Sequence, residues 1–278
     1  MHVQVVTDST ADIDRATAEA LRISVVPIYV YWESKVFQDG VDLTPAEFYT
    51  RLLHSDSHPA TAQPSPEDFA QVYQFSGDSP GIVSIHISSK ISGTFNSARL
   101  AADDAATNMK PVEVIDSGLN SAGLGLVVLA AARVAAEGAP FQEVVAEARR
   151  AVAETRMVGL FDTMKYLARS GRISPARGLA GRALGVKPIL TFRDGEIVRA
   201  GLARSRESGM KQLLRLLGKM GPLREVIVSH STHEEEAGAF VRRLNELCPP
   251  GASQVFEMGA ALGVHGGPGM IVVAGRRE

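Results

Sequence analysis

The sequence has one cysteine, Cys248, among its 278 residues. A single cysteine excludes an intramolecular disulfide framework and a zinc site built from several cysteines, and it fits a reducing compartment. An excess of positive charge is missing too, because 29 Lys and Arg residues stand against 31 Asp and Glu residues. Nucleic-acid-binding proteins usually carry a basic surface, so we expect no nucleic-acid partner.

The chain also lacks a long apolar run. The longest, from Leu124 to Ala132, stops at Arg133. It falls well short of the roughly 20 residues that cross a bilayer. The N-terminal residues have neither the basic region nor the apolar stretch of a signal peptide, and they look like a strand. We therefore expect a cytoplasmic protein with no integral membrane segment.

The usual signatures of nucleotide and metal sites are absent as well. Gly123-Leu124-Gly125 lacks the third glycine of a dinucleotide fingerprint, and no Gly-x-x-x-x-Gly-Lys-Ser/Thr phosphate loop occurs. His54 and His58 have the spacing of some zinc ligands, but Pro59 and the polar residues around them place them at a helix end. The sequence thus predicts neither a metal ion nor a nucleotide cofactor.

What the chain does contain is an alternation of Val- and Ile-rich runs with segments of helical period. This alternation is typical of α/β architecture and predicts mostly parallel sheets. We predict two α/β domains, residues 1–155 and 156–278, of which the first is Rossmann-like with a mostly parallel sheet.

The same patterns predict the individual elements, with turn residues and helix caps as punctuation. In the second domain, a hairpin from Lys187 to Arg204 turns at Asp194-Gly195 and is followed by two strand–helix alternations. In the first domain, the predicted order is a strand Val3–Thr7, a helix capped by Ser9 or Thr10, an extended run Ile23–Trp32, a hairpin at Asp39-Gly40, helices Pro45–His54 and Pro66–Phe75, a strand Ile82–Ile87, a helix Thr94–Ala106, a strand Val112–Ile115 and two Ala-rich helices to about Thr155.

A turn rich in hydroxyl groups follows the predicted strand that ends at Ile87. Four Ser or Thr residues lie between Ser88 and Thr94, where Gly93 allows a ligand to approach the backbone. Backbone N–H groups at a helix N-terminus attract anions, and Ser92 and Thr94 add hydroxyl donors. An ordinary helix cap also explains one such hydroxyl, but not four. We therefore predict an anion-binding loop here.

A second loop, Thr61-Ala62-Gln63-Pro64-Ser65-Pro66, carries hydroxyl groups and is shaped in advance by its two prolines. Ser65-Pro66 is also a common way to begin a helix, which accounts for Ser65 but not for Thr61.

Three further segments contain residues suited to anion chemistry. His265 is the titratable residue of Gly263-Val264-His265-Gly266-Gly267-Pro268-Gly269, and the glycines leave little to bury it, so we predict a functional role. Arg172, Arg204 and Arg206 offer guanidinium groups for a carboxylate or phosphate, although solvated surface arginines are the ordinary alternative. The segment from Asp8 to Asp12 fits either a ligand loop or a capped helix.

Taken in chain order, these motifs resemble the DegV family over nearly the whole chain. The motifs that carry the resemblance are Thr7-Asp8-Ser9-Thr10, Thr61-Ala62-Gln63-Pro64-Ser65-Pro66, Ser89-Lys90-Ile91-Ser92-Gly93-Thr94, Ile115-Asp116-Ser117, Ser170-Gly171-Arg172-Ile173, Lys187-Pro188-Ile189-Leu190 and His265-Gly266-Gly267-Pro268-Gly269.

The resemblance implies a two-domain fatty-acid-binding protein rather than an enzyme. It implies a tunnel between the domains for the acyl chain of a long-chain fatty acid such as palmitate, and a carboxylate held by Thr61 and Ser92. It also implies a partner, the catalytic subunit of a separate ATP-dependent fatty acid kinase that forms the acyl phosphate. His265 assists that presentation, with Arg172 or Arg204 as further candidates.

Two positions depart from the family pattern. The family often has Ser after the loop threonine and Thr after the histidine, where this chain has Ala62 and Gly267. If either hydroxyl normally helps to hold the head group, this chain holds it with fewer side-chain donors.

Two other functions stay open from the residues alone. Ser92 as nucleophile and His265 as base would make a serine acyl-transfer enzyme, which needs a third, orienting group such as Asp116. Anion loops also suit a regulatory or phosphosugar-binding module.

Overall fold

The computed structural model of the chain describes residues 2–105, 110–172, 185–244 and 247–278. Its strands are β1 (Gln4–Asp8), β2 (Ile23–Val26), β3 (Tyr29–Trp32), β4 (Lys35–Gln38), β5 (Ala60–Ala62), β6 (Ile82–His86), β7 (Val112–Asp116), β8 (Thr155–Leu160), β9 (Lys187–Arg193), β10 (Glu196–Ala203), β11 (Leu223–His230), β12 (Ser253–Glu257) and β13 (Ile271–Arg277). Its helices are α1 (Arg15–Ala20), α2 (Pro45–His54), α3 (Pro66–Gln74), α4 (Thr94–Ala105), α5 (Ser121–Ala136), α6 (Phe141–Glu154), α7 (Lys165–Ser170), α8 (Arg206–Gly218), α9 (Glu234–Leu244) and α10 (Ala260–Gly266), with a 3₁₀ turn at Ser9–Ala11.

The first half of the chain, before residue 156, forms a parallel sheet in the order β2-β1-β6-β7. The β6 strand is buried along its whole length because helices cover both faces of such a sheet. This is the α/β, Rossmann-like arrangement that the sequence predicts. The loop after β6 carries Ser92, so the sheet places that loop at the carboxyl edge of its strands, where α/β sheets bind ligands.

The second half of the chain forms a six-stranded sheet in the order β10-β9-β8-β13-β11-β12. Strand β8 begins at Thr155, the predicted domain boundary. Its neighbouring strands are antiparallel except for β11 and β12. The prediction of mostly parallel sheets is therefore wrong for this half. The β9–β10 hairpin is confirmed, and Asp194 and Gly195 both have positive φ, as a tight hairpin turn requires.

A small antiparallel sheet, β4-β3-β5, extends from the first half. The predicted extended run Ile23–Trp32 is divided at Pro27, so that β2 and β3 belong to different sheets. The hairpin turns at Glu33, which has a φ of 57°, and not at the predicted Asp39-Gly40. Pro27 divides the predicted run because proline has no N–H group to donate to a strand ladder.

Most helix predictions agree with the structure to within a residue or two. Helices α2 and α3 each begin with a capping box followed by proline, which the sequence contains in full. The first helix is an exception, because α1 is capped by Asp14 and not by Ser9 or Thr10. The hydroxyl of Ser9 donates instead to Asp39, and that of Thr10 to Asp8. Ala106, the predicted end of α4, lies outside the described residues, as does Ile173.

Helix α5 lies between the two large sheets. It packs against β1 and β6 of the first sheet and against β8, β11 and β13 of the second. One hydrophobic cluster accordingly contains residues from both halves, such as Val83, Leu126 and Val272. The division into domains after residue 155 stays a prediction, since this core does not separate there.

Candidate functional site

A cavity of about 400 Å³ lies between the two halves of the chain. Its walls come from the loop after β6, from β5 and from the second-half elements β8, β9, α10 and β13. Much of the lining is apolar, including Ile28, Ile91, Phe161, Leu190 and Leu262. A volume of this size falls in the range of about 300–1,000 Å³ typical of small-molecule sites.

The loop after β6 contributes Ser89 and Ser92 to the cavity wall, with Ser92 directly before Gly93. The Oγ atom of Ser92 lies 2.8 Å from Oγ1 of Thr94 and accepts the backbone N–H of Thr94 at 3.3 Å. Thr94 itself is fully buried and does not line the cavity. Its contacts fix the orientation of Ser92, so Thr94 supports the site without facing it.

The loop that begins with β5 brings Thr61 to the same end of the cavity. Strand β5 pairs with β3, which sets Thr61 opposite Val30. A Cβ atom added to Gly93 would lie only 2.5 Å from Nε2 of Gln63. The two hydroxyl loops therefore meet directly, with the Gln63 amide against the Gly93 backbone, and this contact needs the absence of a side chain at position 93.

His265, near the end of α10, completes this end of the cavity. Its Nε2 atom lies 2.8 Å from Oγ1 of Thr61, and its Nδ1 atom is buried with no hydrogen-bond partner among the described residues. Burial lowers the pKa of His265 to about 4, and the nearby positive groups Arg172 and His58 act in the same direction. The imidazole is consequently neutral at neutral pH.

The glycines after His265 are required by close packing. Gly267 has a φ of 76°, and a Cβ atom there would overlap the ring of Tyr166. The position at which the family often has Thr therefore has no room for a side chain in this chain.

The three arginines that the sequence singles out have different surroundings. Arg172 is exposed and lines the cavity, and its Nη1 atom donates to the carbonyl of Ser170 at 2.6 Å. Arg204 is exposed and does not line the cavity. The structure thus brings Arg172, but not Arg204, to the site. Arg206 is paired with Asp162 at 2.8 Å and Glu236 at 2.6 Å and donates to the carbonyl of Gly269, so it supports the glycine-rich segment after His265.

A buried polar network next to the cavity was not predicted from the sequence. The carboxylate of Asp8 accepts the backbone N–H of Ile87 at 3.1 Å and lies 3.0 Å from Nδ1 of His86, whose Nε2 lies 2.7 Å from Oγ of Ser84. All three side chains are fully buried. The network ties β1 to the start of the Ser92 loop. A histidine inside an apolar strand is the signal that could have revealed it.

The geometry of an acyl-transfer triad is not present among the described residues. His265 contacts Thr61 rather than Ser92, and its Nδ1 atom has no carboxylate partner there. Asp116, the candidate third group, accepts backbone N–H groups of Ser89 and Gly118. The residues that could carry such a reaction are therefore engaged elsewhere.

In the described part of the chain, no helix is long and apolar enough to cross a membrane. The same residues include no group of three or more His, Cys, Asp or Glu side chains placed to hold a metal ion.

Comparison with known proteins gives consistent matches along the whole chain. The family model described as "Uncharacterised protein, DegV family" matches residues 2–277. A DegV domain-containing protein of Deinococcus radiodurans is 33% identical, over 99% of this chain and 98% of that protein.

Two solved structures have similar folds and are described by their ligands. A Thermus thermophilus DegV family protein, described by its fatty acid binding, has a TM-score of 0.90 and 33% identity with full coverage of both chains. A stearic-acid-binding protein of Eubacterium ventriosum has a TM-score of 0.86 and 26% identity, covering 99% of this chain and 98% of that one.

Proposed function

Because the chain belongs to the DegV family, we propose that it is a binding protein for a long-chain fatty acid such as palmitate. One observation carries the proposal: the hydroxyls of Thr61 and Ser92, from two separate loops, border a cavity that also has extensive apolar walls. A carboxylate needs a few donors at one point, and an acyl chain needs apolar surface beyond it. The fatty acid binding of the Thermus thermophilus relative supports this assignment.

In this proposal the acyl chain provides most of the affinity. Each buried methylene contributes about 0.8 kcal/mol, so a C16 chain contributes roughly 11 kcal/mol before the costs of binding. The carboxylate contacts then set the direction in which the acid enters the cavity.

The neutral imidazole of His265 has a specific part in this arrangement. If Nε2 carries the proton, it donates to Oγ1 of Thr61, and the hydroxyl proton of Thr61 is then available to the carboxylate. The low pKa of His265 favours this neutral form. The histidine is therefore a positioning residue for Thr61 as well as a neighbour of the head group.

A direct binding measurement tests the head-group assignment. Native mass spectrometry of protein purified from cells identifies any retained acid by its mass, and calorimetry with palmitate gives its Kd. We expect Thr61→Val and Ser92→Ala each to weaken binding by about 1–3 kcal/mol, the range for a hydrogen bond to a charged group.

Thr50→Val is the matched control, because Thr50 is exposed on α2 and away from the cavity. Palmitate affinity equal to that of the unmodified protein in both site variants, with native circular dichroism, contradicts the assignment.

We further propose that the bound acid is presented to a separate ATP-dependent fatty acid kinase. The sequence contains no Gly-x-x-x-x-Gly-Lys-Ser/Thr phosphate loop, so this proposal assigns ATP to the partner. Negative charge grows at the head group as the acyl phosphate forms, and the Thr61 hydroxyl, which His265 positions, and the Arg172 guanidinium stabilise that change.

In a reconstituted assay with kinase and ATP, His265→Gln should lower acyl-phosphate formation by at least ~10-fold, a larger factor than its loss of affinity. If acyl-phosphate formation and palmitate affinity fall by the same factor, His265 acts in binding alone.

A further inference from the structure

Polar side chains other than Thr61 and Ser92 also line the cavity, among them Ser89, Lys90 and Ser121, and three more belong to separate elements. These three are Thr10 in the 3₁₀ turn, Asn120 immediately before α5, and Thr191 in β9. We call these three residues the polar wall. Polar groups beside a plain acyl chain lower its affinity unless the ligand offers them partners.

The two threonines of the polar wall can only accept hydrogen bonds from a ligand. Thr10 donates its hydroxyl proton to Oδ1 of Asp8, and Thr191 donates its own to the carbonyl of Met157 at 2.6 Å. A hydroxyl has one proton, so the oxygen atoms of these residues retain only lone pairs for the cavity. This is the opposite of what a carboxylate needs.

Asn120 supplies the complementary donor. It is the N-cap residue of α5, yet its side chain makes no capping hydrogen bond and has no other partner among the described residues. Asparagine at an N-cap usually bonds the helix backbone. Here its amide is left free at the cavity wall, where it can both donate and accept.

Met157 connects Asn120 and Thr191 in space. Its carbonyl accepts the hydrogen bond from the Thr191 hydroxyl. Its Sδ atom packs against Gly123, which lies one turn along α5 from Asn120, because a Cβ atom added to Gly123 would be only 2.9 Å from it. Met157 also lines the cavity. Met157 therefore contacts both Thr191 in β9 and Gly123 in the first turn of α5, the turn that Asn120 precedes.

We infer that the cavity prefers a long-chain fatty acid that carries a hydroxyl group on its acyl chain. The ligand hydroxyl donates to the oxygen of Thr10 or Thr191 and accepts from the side-chain amide of Asn120. This inference rests on the proposed function for the carboxylate and the tail. The expected effect of an added hydroxyl on affinity is opposite to that in a simple apolar tunnel, where the hydroxyl lowers the affinity.

Calorimetry with a positional series tests the inference. Palmitic acid is compared with its 2-, 3-, 10-, 12- and 16-hydroxy derivatives, and the best isomer is compared with its methoxy analogue. We expect at least one hydroxy isomer to bind about fivefold or more tightly than palmitate, the effect of a net hydrogen bond or two. The methoxy analogue should lose this advantage because it has no proton to donate.

Two outcomes overturn different statements. If palmitate binds but every hydroxy isomer binds equally or more weakly, the hydroxyl preference is wrong and the proposed function stands. If neither palmitate nor any isomer binds, the proposed function fails and the preference fails with it.

Variants locate the preference. Asn120→Leu and, independently, Thr191→Val should reduce the ratio of palmitate Kd to hydroxy-acid Kd to about 1 or below. Asn96→Leu, the same change at an exposed position of α4, is the control and should leave the ratio as it is. A ratio that survives in both cavity variants overturns the assignment to the polar wall.

Discussion

Gly93 is the residue at which the two hydroxyl loops come into contact. A methyl group there would lie within 2.7 Å of three atoms of the Gln63 amide, so the Gln63 side chain has to move. That amide packs against Gly93, so its displacement removes the direct contact between the Thr61 loop and the Ser92 loop. We expect Gly93→Ala to weaken palmitate binding by at least ~10-fold with little change in thermal stability, since a displaced surface amide costs the fold little.

Gly238→Ala is the control for this change. Gly238 lies within α9, and an added Cβ atom there meets nothing within 4 Å. Alanine should therefore raise stability by about 0.4–1 kcal/mol and leave binding unaffected. Native affinity for palmitate in Gly93→Ala would contradict the direct contact of the two loops.

The site residues were predictable only where a motif marked them. Thr61, Ser92, Gly93, Arg172 and His265 all line the cavity, as expected from their loops. Asn120 carried no signal, since asparagine before a helix is ordinarily a cap. Whether these residues hold a carboxylate stays a prediction until binding is measured.

At the scale of elements, α6 and β13 are held together by a buried arginine. The side chain of Arg276 is 1% exposed and pairs with Glu147 at 2.7 Å and with Glu154 at 2.8 Å, both on α6. Without Arg276, Glu154 loses its partner and Glu147 keeps only the exposed Arg150, so buried negative charge is left poorly compensated. We expect Arg276→Met to lower the free energy of unfolding by about 3 kcal/mol, measured by urea denaturation.

The exposed pair of Arg15 and Glu19 provides the comparison. Its members are 92% and 65% exposed and lie one turn apart on α1. Arg15→Met should leave the urea midpoint unchanged, because water screens such pairs. An equally small effect of Arg276→Met would show that the buried pair does not stabilise the contact between α6 and β13.

Elements were predictable where their signals are local. Capping boxes and early prolines are contained in a few residues, and they fix α2 and α3. The direction of the second-half strands depends on which distant strands pair, and β13, last in the chain, inserts between β8 and β11. No local pattern records that insertion, so the expected parallel sheet became a mostly antiparallel one. The DegV resemblance is confirmed, and it predicts the fold of the second half, which hydrophobic periodicity alone does not.

At the scale of the whole molecule, the two halves share α5. Thirteen of its sixteen residues are buried, and it packs against strands of both sheets. A ligand between the halves therefore contacts a core that already joins them. Ligand binding should stabilise the molecule as one unit, by RT ln(1 + [L]/Kd), or about 2.7 kcal/mol at a hundredfold excess of ligand over Kd.

The shared helix predicts that the first half is not stable by itself. A fragment of residues 1–155 keeps α5 but loses β11 and β13, so the face of α5 that packs on those strands, at Gly125 against Ile227 for example, becomes exposed. Apolar surface of this kind leads to association or to a loosely packed state. We expect the fragment to bind a hydrophobic dye and to unfold without a cooperative transition, while the full chain unfolds cooperatively. A sharp thermal transition of the fragment would show instead that residues 1–155 form an independent domain, and that α5 needs only its own sheet.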